Sequence, residues 1–207
     1  MKRISTVILM IILIIPLHSQ NLLVMSKTNG FRHASIASGQ DMLQSIANQR
    51  SYTIRFTEDS SAINTNNLQE IDVIIFLNTS GDILDDSGQE ALQTFLHNGG
   101  GFLGIHCASC TEYDWPWYEK LVGRHFQDHP PLQQGTVLID TKSPMTNHLD
   151  STWLQTDEWY NFKAPLPQNL NAIMWVDENT YQGGTMGKTH PITWYHEFEG
   201  GRSFYTA

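Results

Sequence analysis

The chain has 207 residues and a formal net charge of −9, with 12 Lys and Arg against 21 Asp and Glu. That length allows one domain with a sizeable core. So few basic residues argue against nucleic acid or an anionic membrane surface as a partner.

Met1-Lys2-Arg3, an unbroken apolar run over 7–15 and then Pro16 predict a secretory signal peptide over residues 1–20, cleaved near Ser19 or Gln20. The run is too short to span a bilayer. The expected product is a secreted or periplasmic protein with no integral membrane span.

Residues 21–25 (NLLVM) form a first short strand, followed by a polar loop through Gly30 and His33. Ile36, Leu43, Ile46 and Ala47 recur at helical spacing and predict an amphipathic helix over 34–49. Residues 52–56 alternate as a strand. The continuous apolar run 72–77 (DVIIFL) is expected of a strand buried on both faces of a parallel sheet. Ser87 and Glu90 read as a capping box for a helix with Leu92, Phe95 and Leu96 on its apolar stripe, stopped by Gly99 to Gly101.

The stretch 99–123 carries the chemistry. A strand over 102–105 ends abruptly in His106, Cys107, Ser109 and Cys110, and parallel α/β sheets place their sites at the carboxyl ends of strands. The run Thr111-Glu112-Tyr113-Asp114-Trp115-Pro116-Trp117-Tyr118 sets aromatics beside carboxylates, a combination suited to recognition, and Pro116 marks a helix start. Its competing reading is aromatic core under a crossover. Cys107 and Cys110 form a C-x-x-C spacing, compatible with small buried residues, a disulfide or a redox pair.

Beyond Gly123 the texture changes. A His-rich loop covers 125–131, and strands are predicted over 136–139, 157–162, 172–176, 192–196 and 202–206, without long helices between them. The fold class is therefore α/β: a flavodoxin-like parallel sheet flanked by helices, with an antiparallel, β-rich second half. The sequence stops inside the last predicted strand, so a C-terminally incomplete domain over 21–207 is expected.

Asn29-Gly30-Phe31-Arg32-His33, Gly104-Ile105-His106, the run 111–118, His129-Pro130, Asp157-Glu158-Trp159-Tyr160, His190-Pro191-Ile192-Thr193-Trp194 and Gly200-Gly201-Arg202-Ser203-Phe204-Tyr205-Thr206 follow one another in this order. Together they resemble the trehalose-utilisation (ThuA-like) family, whose fold is similar to the class I glutamine amidotransferases. The resemblance implies a role in disaccharide catabolism, including oxidised (keto) sugars. The amidotransferase nucleophile is a Cys after Gly-Ile at the strand elbow. Here His106 holds that place and Cys107 comes one residue later, so no glutaminase activity is expected.

The expected site joins His106 as acid or base, since a neutral imidazole suits proton transfer near neutral pH, with Asp157 or Glu158 as its carboxylate partner. In a strand these two acids point to opposite faces, so one of them enters the site. His33, Glu112, Tyr113, Asp114, Trp115, His129, Trp159 and His190 are expected to hold a small carbohydrate. His106, His129 and His190 with a carboxylate are also a plausible divalent-metal set, although no pair has a diagnostic local spacing. Two other classes compete with an acid/base enzyme of sugars: a non-catalytic sugar-binding module, and a thiol redox protein using Cys107 and Cys110.

Overall fold

The computed structural model describes residues 19–207; the predicted signal peptide lies outside the described residues except for Ser19 and Gln20. In chain order the elements are β1 (Asn21–Met25), α1 (Ile36–Arg50), β2 (Thr53–Thr57), α2 (Thr65–Leu68), β3 (Val73–Leu77), α3 (Asp86–His97) and β4 (Gly101–Ile105). There follow a 3-10 turn (His106–Cys110), α4 (Pro116–Val122), β5 (Phe126–Asp128), β6 (Gln133–Ile139), β7 (Thr152–Asp157) and β8 (Asn161–Phe162). The chain closes with β9 (Asn171–Asp177), β10 (His190–Phe198) and β11 (Gly201–Thr206).

The main sheet has nine strands in the order β2-β1-β3-β4-β11-β10-β9-β6-β7. From β2 to β11 every pairing is parallel; from β11 outward every pairing is antiparallel. The α/β half and the β-rich half are thus one continuous sheet. β11, last in sequence, lies in the middle and makes Tyr205 the neighbour of Gly104 in β4.

The strand sequences explain the layers. In β1, Leu23 and Met25 face one side with Ile74 and Phe76 of β3, and helices α2, α3 and α4 cover them with Leu68, Leu92, Leu96, Tyr118 and Leu121. Val24 faces the other side with Ile75 and Leu77, under Leu43 of α1. Both faces are covered, so these strands read as continuous apolar runs. Trp194 and Tyr205 extend the first core across the β10–β11 hairpin, and the outer strands pack around Val137, Trp159, Ile173 and Val176.

Local punctuation differs from expectation at several points. Asp85, not Ser87, caps α3: its Oδ1 accepts from Gly88 N at 2.8 Å, and Ser87 Oγ donates to the same oxygen. Ile46 lies 43% exposed, outside the α1 stripe. The predicted strand 157–162 is divided: Asp157 ends β7, and only Asn161 and Phe162 pair, with β5, in a separate two-stranded sheet. β7 was not expected at all. It is an edge strand exposed along nearly its whole length, so no alternation marks it. α4 ends at Gly123 with φ +100°, where a Cβ would lie 2.3 Å from Trp194 Nε1, so the position requires glycine. Among the described residues no helix is long and apolar enough to cross a membrane.

Two core histidines set a pH limit on this fold. His125 Nδ1 donates to Ser109 O (3.1 Å) and His196 Nε2 to Lys120 O (3.0 Å). Among the described residues, the second ring nitrogen of each is buried without a hydrogen-bond partner. Burial pushes both rings below the ordinary value of 6.5. The unfolded chain then takes up these protons first, so the stabilisation is complete above about pH 6.5 and is lost as pH falls toward the folded values. The melting temperature should drop between about pH 7 and pH 5, and the double variant His125→Gln, His196→Gln should drop less steeply. An unchanged melting temperature over that interval would exclude the account.

Candidate functional site

Three loops at the carboxyl ends of β1, β4 and β7 meet at one point. The loop after β1 carries His33 and is pinned to the end of β3: Asn29 N donates to Ser80 O at 2.8 Å, and Ser80 Oγ donates to Phe31 O at 2.7 Å. His106 directly follows β4 with φ +49°, a left-handed conformation that costs a non-glycine residue roughly 1–2 kcal/mol. The elbow is held on both sides. The His106 carbonyl accepts from Tyr205 Oη (2.8 Å) and Ser109 Oγ (3.2 Å), and the next amide, Cys107 N, donates to Asn78 Oδ1 (3.3 Å). Gly104 makes the sharp turn possible, because a Cβ there would press within 3.2 Å of both Ala108 and Tyr205.

Tyr160 lies at the centre. Its hydroxyl is 2.9 Å from His106 Nε2 and 3.4 Å from His33 Nε2. Its ring stacks on His106 at 4.2 Å and packs against Phe126 at 4.3 Å. Glu158 Oε2 stands 3.6 Å from His106 Nε2 and 4.0 Å from His129 Nε2. His129 Nδ1 donates to Pro130 O at 2.8 Å, which turns Nε2 toward Glu158. Burial, and then the neighbouring His33, push His106 down to about 4, and burial lowers His33 as well. Burial pushes the Tyr160 phenol up. At neutral pH the centre therefore holds two neutral imidazoles and an un-ionised phenol.

His33, His129, Glu158 and Tyr160 open onto a cavity of about 350 Å³ lined further by Phe31, Cys107, Cys110, Tyr113 and Phe126. His33 and Glu158 also border an adjoining groove of about 430 Å³, lined further by His106, Asp157 and Asn78. Cys107 and Cys110 are free thiols, and the Cys110 thiol lowers that of Cys107.

Of the residues expected from sequence, His33, His106, His129, Glu158 and Tyr113 are brought together here. Asp157 reaches only the groove, where its Oδ1 accepts from Glu158 N at 2.9 Å, so Glu158 is the acid that faces the imidazoles. The others lie elsewhere. Glu112 is buried and turned inward at φ +53°, its carboxylate accepting from Ile83 N (2.7 Å), Leu84 N (2.8 Å) and Gln89 Nε2 (2.8 Å). Trp115 stacks on Trp117 at 4.8 Å over the core, and Asp114 is exposed outside the cavity lining. Trp159 is core, donating to Gln133 O at 3.0 Å.

His190 is fully buried behind the site rather than in it. Its Nε2 donates to Tyr160 O (2.7 Å), and its Nδ1 meets Glu178 Oε1 (2.9 Å) and Tyr181 Oη (2.8 Å). It positions Tyr160. Sequence reasoning missed Tyr160 itself, together with Phe31 and Phe126. The signal was present in Asp157-Glu158-Trp159-Tyr160: residues 158 and 160 share a face of an extended chain, so Glu158 in the site carries Tyr160 with it.

The family model described as ThuA, trehalose utilisation, matches residues 21–207. Solved structures similar to the chain include a ThuA-like protein from Bacteroides uniformis, with 23% identity, TM-score 0.76, and coverage of 90% of this chain and 80% of that one. A ThuA-like protein from Parabacteroides merdae has 15% identity, TM-score 0.71, and coverage of 91% and 78%. A glutamine amidotransferase from Thermotoga maritima has 13% identity, TM-score 0.50, and coverage of 90% and 74%, a likeness of fold alone. No curated protein matches the chain.

Proposed function

The chain belongs to the ThuA (trehalose utilisation) family, and from that premise we propose that it acts on a small carbohydrate, a sugar or keto-sugar, by proton transfer in the cavity at the strand ends. The observation that carries this reading is the convergence of His106, His33, Glu158 and Tyr160 from three separate loops on one point. A neutral His106 is the base that takes a proton from a carbon beside a carbonyl or from a hydroxyl. Glu158 stabilises the imidazolium that forms, and the Tyr160 phenol donates to the oxygen that gains charge. Phe31, 68% exposed, offers an aromatic face to the apolar side of a pyranose, and Tyr113, 38% exposed and stacked on His125 with Lys163 over its ring, borders the same cavity.

Those exposed rings are also what favours the second reading, a sugar-binding module without turnover. An NMR time course with trehalose, other disaccharides and their 3-keto forms separates the two. Conversion of a keto-sugar by the wild-type protein is the expected result, and the product names the reaction. Ligand line broadening without conversion, retained in His106→Asn and lost in Tyr113→Ala, would make the protein a binding module. We further propose that it acts after export. N-terminal sequencing of the protein recovered from outside the cytoplasm should begin near residue 20, and a chain starting at Met1 would oppose this.

A further inference from the structure

Two imidazole nitrogens and a carboxylate oxygen converge at the centre of the site. His33 Nε2 and His106 Nε2 both face the Tyr160 hydroxyl, which has one proton to give. Glu158 Oε2 approaches the same His106 nitrogen at 3.6 Å, too long for a hydrogen bond. That is close to the separation of about 3.4 Å expected for two ligands sharing one tetrahedral ion at bonds of about 2.1 Å. One ligand atom from each of His33, His106 and Glu158 lies within 4.8 Å of the others. His129 adds a further nitrogen, Nε2, 4.0 Å from Glu158 Oε2, with its Nδ1–H bound to a backbone carbonyl, as the far ring nitrogen of metal-binding histidines commonly is.

We propose that His33, His106 and Glu158 hold a divalent first-row transition-metal ion, of the zinc, manganese, cobalt or nickel class, where the groove meets the cavity. Two imidazoles and one carboxylate suit these ions; magnesium and calcium prefer oxygen ligands throughout. Three protein ligands leave coordination positions open toward the cavity, as in catalytic rather than structural metal sites. Adjacent oxygens of a sugar, a carbonyl beside a hydroxyl, are the ligand chemistry that fills such positions. With the ion bound, His106 Nε2 would be a ligand rather than the base, and the metal would take over activation of the sugar carbonyl while fixing the substrate's orientation against Tyr160. The set differs from the one expected by sequence, because His190 is committed to Tyr160 O and Glu178. The proposal deepens the reading of this cavity as a working site, but its test needs no sugar.

Untagged protein is stripped with a chelator, dialysed and titrated with Zn²⁺ by calorimetry and with Co²⁺ by visible absorption, with melting curves as the check on folding. One equivalent per chain, with micromolar or tighter affinity, is expected. Losing an outer partner of a metal site weakens affinity about 10- to 100-fold, so losing a ligand in His33→Ala or Glu158→Gln should cost about 100-fold or more. His148→Ala, which removes an exposed histidine outside the cluster, should bind as wild type. Glu158→Gln is nearly isosteric and keeps the test valid should His33→Ala fail to fold. Absence of saturable binding, or binding that survives both cavity variants, overturns the proposal. Metal bound without any conversion or binding of sugar would instead overturn the carbohydrate reading and leave the metal site standing.

Discussion

Replacing His106 with asparagine is expected to reduce keto-sugar conversion by about 10²- to 10⁴-fold, the usual contribution of a positioned acid or base. Asparagine is the informative choice because His106 sits at φ +49°. Alanine there keeps the backbone strain of roughly 1–2 kcal/mol with no side chain suited to it, whereas asparagine tolerates the left-handed region. The loss in His106→Asn would then report the missing imidazole rather than a displaced elbow. His106→Ala should lose at least as much rate and also melt lower. The backbone anchors of the elbow, Tyr205 Oη and Ser109 Oγ on the His106 carbonyl, do not involve the ring and remain in both variants. Sugar line broadening should survive, because Phe31, Tyr113 and Phe126 still line the cavity. Conversion at the wild-type rate in both variants would remove His106 from the chemistry.

The legible parts of the fold were those where burial leaves a pattern. β1 and β3 are covered on both faces and read as apolar runs; α3 carries a sharp stripe closed by glycines. β7 was invisible because neither face is buried, so nothing selects its side chains by period. The elbow was legible for a different reason. Gly104-Ile105 leads a buried strand straight into a histidine, and the small residue is what lets Ala108 and Tyr205 close in behind it.

The site was half legible. Residues that project from loop ends, His33, His106, His129 and Glu158, could be named from residue type and place in the chain. Tyr160 was missed because the sequence left Asp157 and Glu158 undistinguished: an extended chain puts 158 and 160 on one face and 157 and 159 on the other, and nothing local chose between the faces. The real chain leaves β7 at Asp157 and turns before β8, delivering Glu158 and Tyr160 to the same side of the cavity. In 111–118 the error ran the other way. Aromatics beside acids look like a recognition surface, but Tyr118 is fully buried with its hydroxyl on Ala108 O (2.8 Å), and Trp117 Nε1 donates to Glu199 Oε2 at 2.7 Å. Only Tyr113 of that run faces the cavity.

Glu112 turns this distinction into the second large expected effect. A carboxylate that held sugar could be removed at little cost in stability. This one accepts from Ile83 N, Leu84 N and Gln89 Nε2, and so fixes the entry to α3 beneath the crossover. Its truncation strands two buried amide donors, each costing about 1–3 kcal/mol when unsatisfied. Glu112→Ala is therefore expected to lose about 3–5 kcal/mol of folding free energy, measured by denaturant unfolding at constant m-value. Glu112→Gln should lose less, since its amide oxygen can still accept from the two backbone donors while the Gln89 amide turns to present its oxygen. Where either variant stays folded, sugar affinity should match wild type. A Glu112→Ala protein of unchanged stability that no longer binds sugar would reverse the assignment and return Glu112 to the ligand site.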